Sequence, residues 1–147
     1  MSPHVFVVDT NVVVAGLMTR SGDSPAADIL DAMLSGALVY LMSPALLQEY
    51  RSVLLRPRIA NVHGLTDDQI DRVLVELTAN AMWREPAVVQ PAPHRGDDHL
   101  WALLNAHSDS TLVTGDRLLL DNPPDGHSVI SPRVWLEVFA GSAGRSG

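Results

Sequence analysis

The run Val5-Phe6-Val7-Val8 is unbroken, apolar and mostly β-branched, and it ends on Asp9. A strand with no polar alternation is one covered on both faces, which is the situation of a central strand in a parallel sheet flanked by helices. An acid placed directly after such a strand stands at its carboxyl end, where open α/β sheets bind their ligands. The first few residues therefore constrain both the fold class and the place to look for chemistry.

The remaining pattern agrees. Val12-Val13-Val14 resumes the apolar run after the Asp9-Thr10-Asn11 interruption. Ser24-Pro25, Ser43-Pro44 and Ser131-Pro132 each read as a helix start, with Ser at the N-cap and Pro in the first turn. The first predicts a helix from Pro25 to Ser35, stopped by Gly36. The second predicts one from Pro44 to Leu55, ended by Pro57. Thr66 with Gln69 forms a capping box for a helix reaching Ala81. A short helix is expected over Asp97 to His107 and a last one over Pro132 to Ala140. Strands are expected at Leu38 to Met42, Ala87 to Val89, Thr111 to Val113 and Ser128 to Ile130. The expected architecture is α/β, a three-layer α/β/α sandwich with a mostly parallel central sheet. At 147 residues the chain fits one domain, taken as 1–140, with the Gly- and Ser-rich 141–147 as a flexible tail.

Composition removes several chemistries. There is no Cys, hence no disulfide, thiolate metal site or cysteine nucleophile. All ten basic residues are Arg, so a phosphate-loop lysine, a Schiff base and a Ser–Lys dyad are excluded, as is a receiver domain that needs Lys. The formal charge of −7 argues against a general electrostatic binder of nucleic acid, though not against an enzyme acting on it. No stretch is long and apolar enough to span a membrane, and the N-terminus lacks a basic leader, so a soluble cytoplasmic protein is expected.

The acids carry the functional signal. Asp9 follows the first strand and Asp116 follows Thr111–Val113 through a Thr-Gly turn, so both lie at strand carboxyl ends. Either alone is well explained as a turn cap. Glu49 borders the apolar face made by Leu46, Tyr50, Val53 and Leu54. Asp97 and Asp98 open a helix, where the dipole favours acids. The helical wheel turns Asp97 inward with Leu100, Trp101 and Leu104 and leaves Asp98 at the edge beside Asn105. An inward carboxylate needs a cation or a backbone cap. Setting these five acids aside lowers the formal charge from −7 to −2, an almost balanced surface. Oxygen-only ligands select hard cations such as Mg²⁺ or Mn²⁺, and the six His residues show no zinc spacing. Arg95 and Arg117 flank the acids and are the best candidates for phosphate contact, ahead of Arg20 and Arg51. His99 is a minor candidate for a substrate role. Trp101 and Trp135 are assigned to the core.

Asp9-Thr10-Asn11 after an apolar strand, Glu49 within Leu46-Leu47-Gln48-Glu49-Tyr50, Asp97-Asp98, and Thr114-Gly115-Asp116-Arg117 together resemble a PIN domain, over Val5 to Phe139. The spacing is similar to the branch described as toxin components of toxin–antitoxin pairs. The resemblance implies a metal-dependent endoribonuclease with the acidic quartet Asp9, Glu49, Asp97 and Asp116. Asp98 shares or replaces the role of Asp97. Asn11 and Thr114 would support the ligands, and one or two Mg²⁺ or Mn²⁺ ions would be held. It further implies an RNA substrate, an antitoxin partner and a homodimer. Members of the family often have an acid just upstream of the paired Asp, where this chain has His94.

Two alternatives stand beside this reading. A haloacid-dehalogenase-like phosphatase also places Asp after its first strand, but needs a second Asp where this chain has Asn11. A PIN-like module that binds protein or RNA without catalysis would keep the fold, and the intact quartet speaks against it.

Overall fold

The computed structural model describes residues 4–19, 24–86 and 91–140. Its centre is a five-stranded sheet in which every pairing is parallel. The strands are β1 (Val5–Val8), β2 (Val39–Met42), β3 (Met82–Trp83), β4 (Ser110–Val113) and β5 (Ser128–Ile130), in the order β3-β2-β1-β4-β5. All four residues of β1 are buried, as the unbroken apolar run requires. The chain builds outward from β1 to one edge, then returns to its other side with β4. The order therefore reverses between β1 and β4, the position at which a doubly wound sheet opens a crevice. Helices pack on the sheet to complete the α/β/α sandwich.

All three Ser-Pro starts are present as N-caps. Ser24 accepts from Ala27 N at 3.1 Å, Ser43 from Leu46 N at 3.1 Å and Ser131 from Val134 N at 3.2 Å. They open α2 (Pro25–Ser35), α3 (Pro44–Leu54) and α8 (Pro132–Trp135), the last continuing as a π-helical turn over Leu136–Ala140. Gly36, at φ 83°, ends α2 in the left-handed conformation that glycine adopts at little cost. The capping box at Thr66 has both of its bonds and starts α5 (Asp67–Asn80).

Elsewhere the chain departs from the sequence reading. Val12-Val13-Val14 belongs to a helix, α1 (Thr10–Met18), that begins directly on Asp9. Three consecutive Val residues disfavour a helix by propensity, but all three are buried here, and tertiary packing outweighs that local preference. Pro57 closes the preceding segment and also occupies the first turn of a new helix, α4 (Pro57–His63). The edge strand after α5 is Met82–Trp83, which pairs with Leu41 and Met42. The strand expected at Ala87–Val89 and the tail at 141–147 lie outside the described residues. Asp97 closes a 3₁₀ turn over Arg95–Asp97, and α6 follows as Asp98–Asn105. The short α7 (Arg117–Asp121) follows β4. Trp101 and Trp135 are core residues. Among the described residues no helix is long and apolar enough to cross a membrane.

A close approach between α1 and α2 sits on the helix side of the crevice. A Cβ on Gly16 would stand 2.8 Å from Ala26 O and 2.9 Å from Leu30 Cβ, so only glycine lets these backbones meet.

Candidate active site

Strand register places the first two acids. Val8 pairs with Val113, and Asp9 N donates to Val113 O at 2.9 Å, so Asp9 and the Thr114-Gly115-Asp116 turn leave the sheet side by side. Both acids do cap helices: Asp9 Oδ1 accepts from Thr10 N at 2.7 Å, and Asp116 Oδ1 from Leu118 N at 2.9 Å. The capping role and the crevice role are thus held by the same residues.

Thr114 and Asn11 lace the two strand ends together. The buried Thr114 hydroxyl donates to Asp9 Oδ2 at 2.8 Å and accepts from Asp116 N at 3.0 Å. Asn11 Nδ2 donates to Asp9 Oδ2 at 3.2 Å and to Thr114 Oγ1 at 3.3 Å, while Asn11 Oδ1 accepts from Gly115 N at 3.0 Å. Asp9 is therefore held in one orientation by bonds to both of its oxygens.

Glu49 is delivered by α3. Leu46, Tyr50 and Leu54 are fully buried, and Glu49 is half-buried on their border. The adjacent Tyr50 hydroxyl donates to Val8 O, which ties α3 to the last residue of β1. His99 Nε2, on α6, lies 2.6 Å from Glu49 Oε2 but does not line the crevice.

The paired acids separate. Asp98 Oδ1 accepts from Ala92 N at 2.8 Å and so braces the preceding loop. Asp97 stands at the N-cap of α6, yet its side chain caps nothing and faces the crevice half-buried. The wheel anticipated this division, although Asp97 closes a 3₁₀ turn rather than sitting in the α-helix.

The crevice measures about 590 Å³. Its polar lining includes Asp9, Glu49, Asp97 and Asp116, together with Thr10, Asn11 and His94. Its apolar lining is Val14, Ala15 and Met18 of α1, Val53 of α3 and Ile59 of α4. Asp98 is not among the lining residues. The electrostatics show that the acids share one space. Burial pushes the Asp9 carboxyl up to about 6, the bonds from Thr114 and Thr10 oppose that rise, and the charges of Asp97 and Glu49 add to it. Asp97 is raised by burial and by the charges of Glu49 and Asp116. Glu49 moves the other way, held below the usual range chiefly by its bond from His99, with help from Thr10 and the Arg56 charge.

The donor chemistry suits a hard divalent cation: carboxylate oxygens, no thiolate, and two carboxyls, Asp9 and Asp97, that burial and neighbouring acids push up despite partial offsets. Among the described residues, however, no three His, Asp or Glu side chains are arranged to hold a metal ion as they stand.

The arginines are placed less as expected. Arg95 and Arg117 are exposed and do not line the crevice. Arg51 turns away to pair with Asp71 of α5 at 3.0 Å, and Arg20 lies outside the described residues. Sequence reasoning missed Arg56 as a cation near Glu49 and gave His99 no link to Glu49. Neither contact has a local signal, since each depends on how separate helices pack. Several histidines expected at the surface make definite bonds. His63 contacts Leu54 O and accepts from Leu65 N, and His127 contacts Ser110 O.

A family model described as the PIN domain matches residues 5–118. Comparisons with curated proteins and with solved structures returned no match. The matched segment runs from β1 to the first residues of α7 and contains every acid that lines the crevice. With the all-parallel sheet and an acidic crevice where its order reverses, this match establishes that the chain belongs to the PIN domain family.

Proposed function

We propose that this protein is a metal-dependent endoribonuclease that hydrolyses RNA phosphodiester bonds in the crevice between Asp9, Glu49, Asp97 and Asp116. PIN domains are typically nucleases and generally use divalent metal ions. The observation that carries the reading for this chain is the gathering of four carboxylates from separate segments into one crevice, with the ionisation of Asp9 and Asp97 opposed first by burial and then by the neighbouring acids.

Asp9, Asp97, Asp116 and Glu49 are the residues that would hold one or two Mg²⁺ or Mn²⁺ ions. When bound, such an ion offsets phosphate charge and lowers the pKa of a bound water. The protein's own part is orientation and charge. Thr114 and Asn11 fix Asp9 and brace the Asp116 turn. His99 lies against Glu49 and lowers its pKa. Asp98 braces the loop that carries Asp97. In the hydrolysis, water oxygen bonds to phosphorus, the bond to the 3′ oxygen breaks, and a water proton ends on that oxygen. The products are 5′-phosphate and 3′-hydroxyl ends. Arg95 and Arg117 would contact phosphates outside the crevice.

The resemblance to the toxin branch extends the proposal to a toxin of a toxin–antitoxin pair, acting in the cytoplasm as a homodimer and silenced by an antitoxin. One observation favours a second reading, a catalytically silent binding module: among the described residues no three acids of the crevice are arranged to hold a metal ion as they stand.

The deciding experiment is cleavage of a labelled pool of structured RNA with Mn²⁺ or Mg²⁺, comparing the protein with Asp9→Asn. Metal-dependent cleavage that the variant loses supports the nuclease. Absence of both cleavage and metal binding favours the silent module.

A further inference from the structure

A phosphodiester entering the crevice brings negative charge to a site lined by carboxylates, and a cation offsets it only at the oxygens it touches. The other phosphate oxygen needs a hydrogen-bond donor from the protein. Arginine usually serves phosphate in this way, but among the described residues none lines the crevice. Three lining side chains can donate: Thr10, Asn11 and His94. Asn11 Nδ2 is spent on Asp9 and Thr114. The Thr10 hydroxyl is enclosed, and its influence falls on Glu49. His94 is left.

Its ring is held by the loop that carries Asp97. His94 Nδ1 accepts from Gly96 N at 3.2 Å, and His94 O accepts from Asp97 N at 2.9 Å. A ring nitrogen that accepts carries no hydrogen, so the neutral imidazole has its proton on Nε2. Nε2 is then an N–H donor rather than a lone pair for a metal ion, and it has no partner among the described residues. Burial and the charge of Glu49 raise the Asp97 carboxyl, and His94 acts on it in the opposite sense, so ring and carboxylate lie within electrostatic reach.

We infer that His94 is the phosphate-contact residue of the crevice: its Nε2–H donates to the nonbridging oxygen of the scissile phosphate that the cation leaves free. This rests on the nuclease reading. The imidazole supplies direction without a fixed charge, so it holds a phosphate beside the acids and adds nothing to the attraction of nucleic acid at a distance.

Two substitutions separate the two ring nitrogens. His94→Asn keeps an oxygen on the carbon that bears Nδ1, so it can still accept from Gly96 N, but it has no donor at the reach of Nε2. His94→Gln keeps a distal N–H and loses the near acceptor. The substrate is a short RNA with sulfur in place of either nonbridging oxygen of the cut phosphate, assayed in Mn²⁺. Mn²⁺ tolerates sulfur, so a slowing that persists in it reports an oxygen facing a protein donor.

In the unaltered protein one of the two sulfur forms should be cut about tenfold more slowly than the oxygen form, the ordinary worth of one hydrogen bond to a charged group. His94→Asn should cut the oxygen form about tenfold more slowly, and its sulfur penalty should shrink to about twofold, because the lost contact is the same one. His94→Gln should keep the penalty. Mn²⁺ affinity without RNA, read by calorimetry, should stay within about twofold in His94→Asn. If the unaltered protein cuts RNA with no sulfur penalty, or His94→Asn keeps it, the contact is overturned. A tenfold fall in Mn²⁺ affinity in His94→Asn would overturn it too, by making His94 a metal ligand. If the unaltered protein neither binds nor cuts RNA, the nuclease reading falls and the contact with it.

Discussion

His99 Nε2 lies 2.6 Å from Glu49 Oε2 and so joins α6 to α3 beside the crevice. The bond is the largest influence on Glu49, whose carboxyl it holds below the ordinary range. In His99→Ala the Glu49 carboxyl should titrate at higher pH, read by ¹³C NMR of the side chain. Cleavage should fall by roughly tenfold or more, the usual effect of removing a group that orients a ligand. His99→Gln, which can still donate, should recover much of the loss. An unmoved Glu49 titration would show that the contact does not govern it.

Asp9 gives a pH dependence of stability in metal-free protein. Its folded pKa of about 6 lies above its ordinary value of 3.8, so the folded state binds this proton more tightly than the unfolded one. The contribution is fully present below about pH 3.8 and is lost as pH rises through about 6, a change on the order of 3 kcal/mol. Thermal melts in chelator between pH 4 and 7.5 should show the protein losing stability relative to Asp9→Asn across that window. Added Mn²⁺ should restore more stability at pH 7.5 than at pH 5. A constant difference between the two proteins would refute the assignment.

Thr114 bonds Asp9 and Asp116 through a single hydroxyl with no exposure to solvent. Thr114→Val keeps the shape and removes those bonds. The loss should be about 1–3 kcal/mol in denaturant unfolding and roughly 10- to 100-fold in cleavage. Thr114→Ser should stay near the original on both measures. Equal behaviour of the Val and Ser variants would remove the hydroxyl from the account.

Gly16 tests the fold apart from the chemistry. An added Cβ meets the Ala26 carbonyl oxygen at 2.8 Å, and backbone cannot move aside as a flexible side chain would. Gly16→Ala should destabilise by about 1–3 kcal/mol despite alanine's better helix propensity. An unchanged or raised melting temperature would mean that α1 and α2 do not approach so closely.

What was legible in the sequence was what local chemistry writes there. Val5–Val8 announced a strand covered on both faces, and each Ser-Pro pair announced a capped helix, because caps and two-sided burial leave local signatures. The helix at Thr10–Met18 was hidden because its valines are held by burial within a helix packed on α2 and α3, not by propensity. The helix at Pro57 was hidden because proline ends one helix and begins another equally well. Around the crevice, Asp9, Asp97 and Asp116 could be placed at strand or helix ends, and Glu49 on the border of a helix face, from sequence alone. The partners could not: His99 against Glu49, Arg56 near it, Asp98 turned back to Ala92, and the apolar lining all arise from packing between distant segments.

The join between β1 and β4 also has a consequence in time. Asp9 is synthesised well before the hydroxyl that orients it, which belongs to a residue 105 positions later. Contacts of such separation close late in folding, and synthesis adds only about 5–20 residues per second. A nascent chain carrying Asp9 and Glu49 has two loose carboxylates and no crevice. The centre comes into being only after Thr114 and Asp116 have been made, so the ribosome holds an inert product throughout the interval that separates them from Asp9.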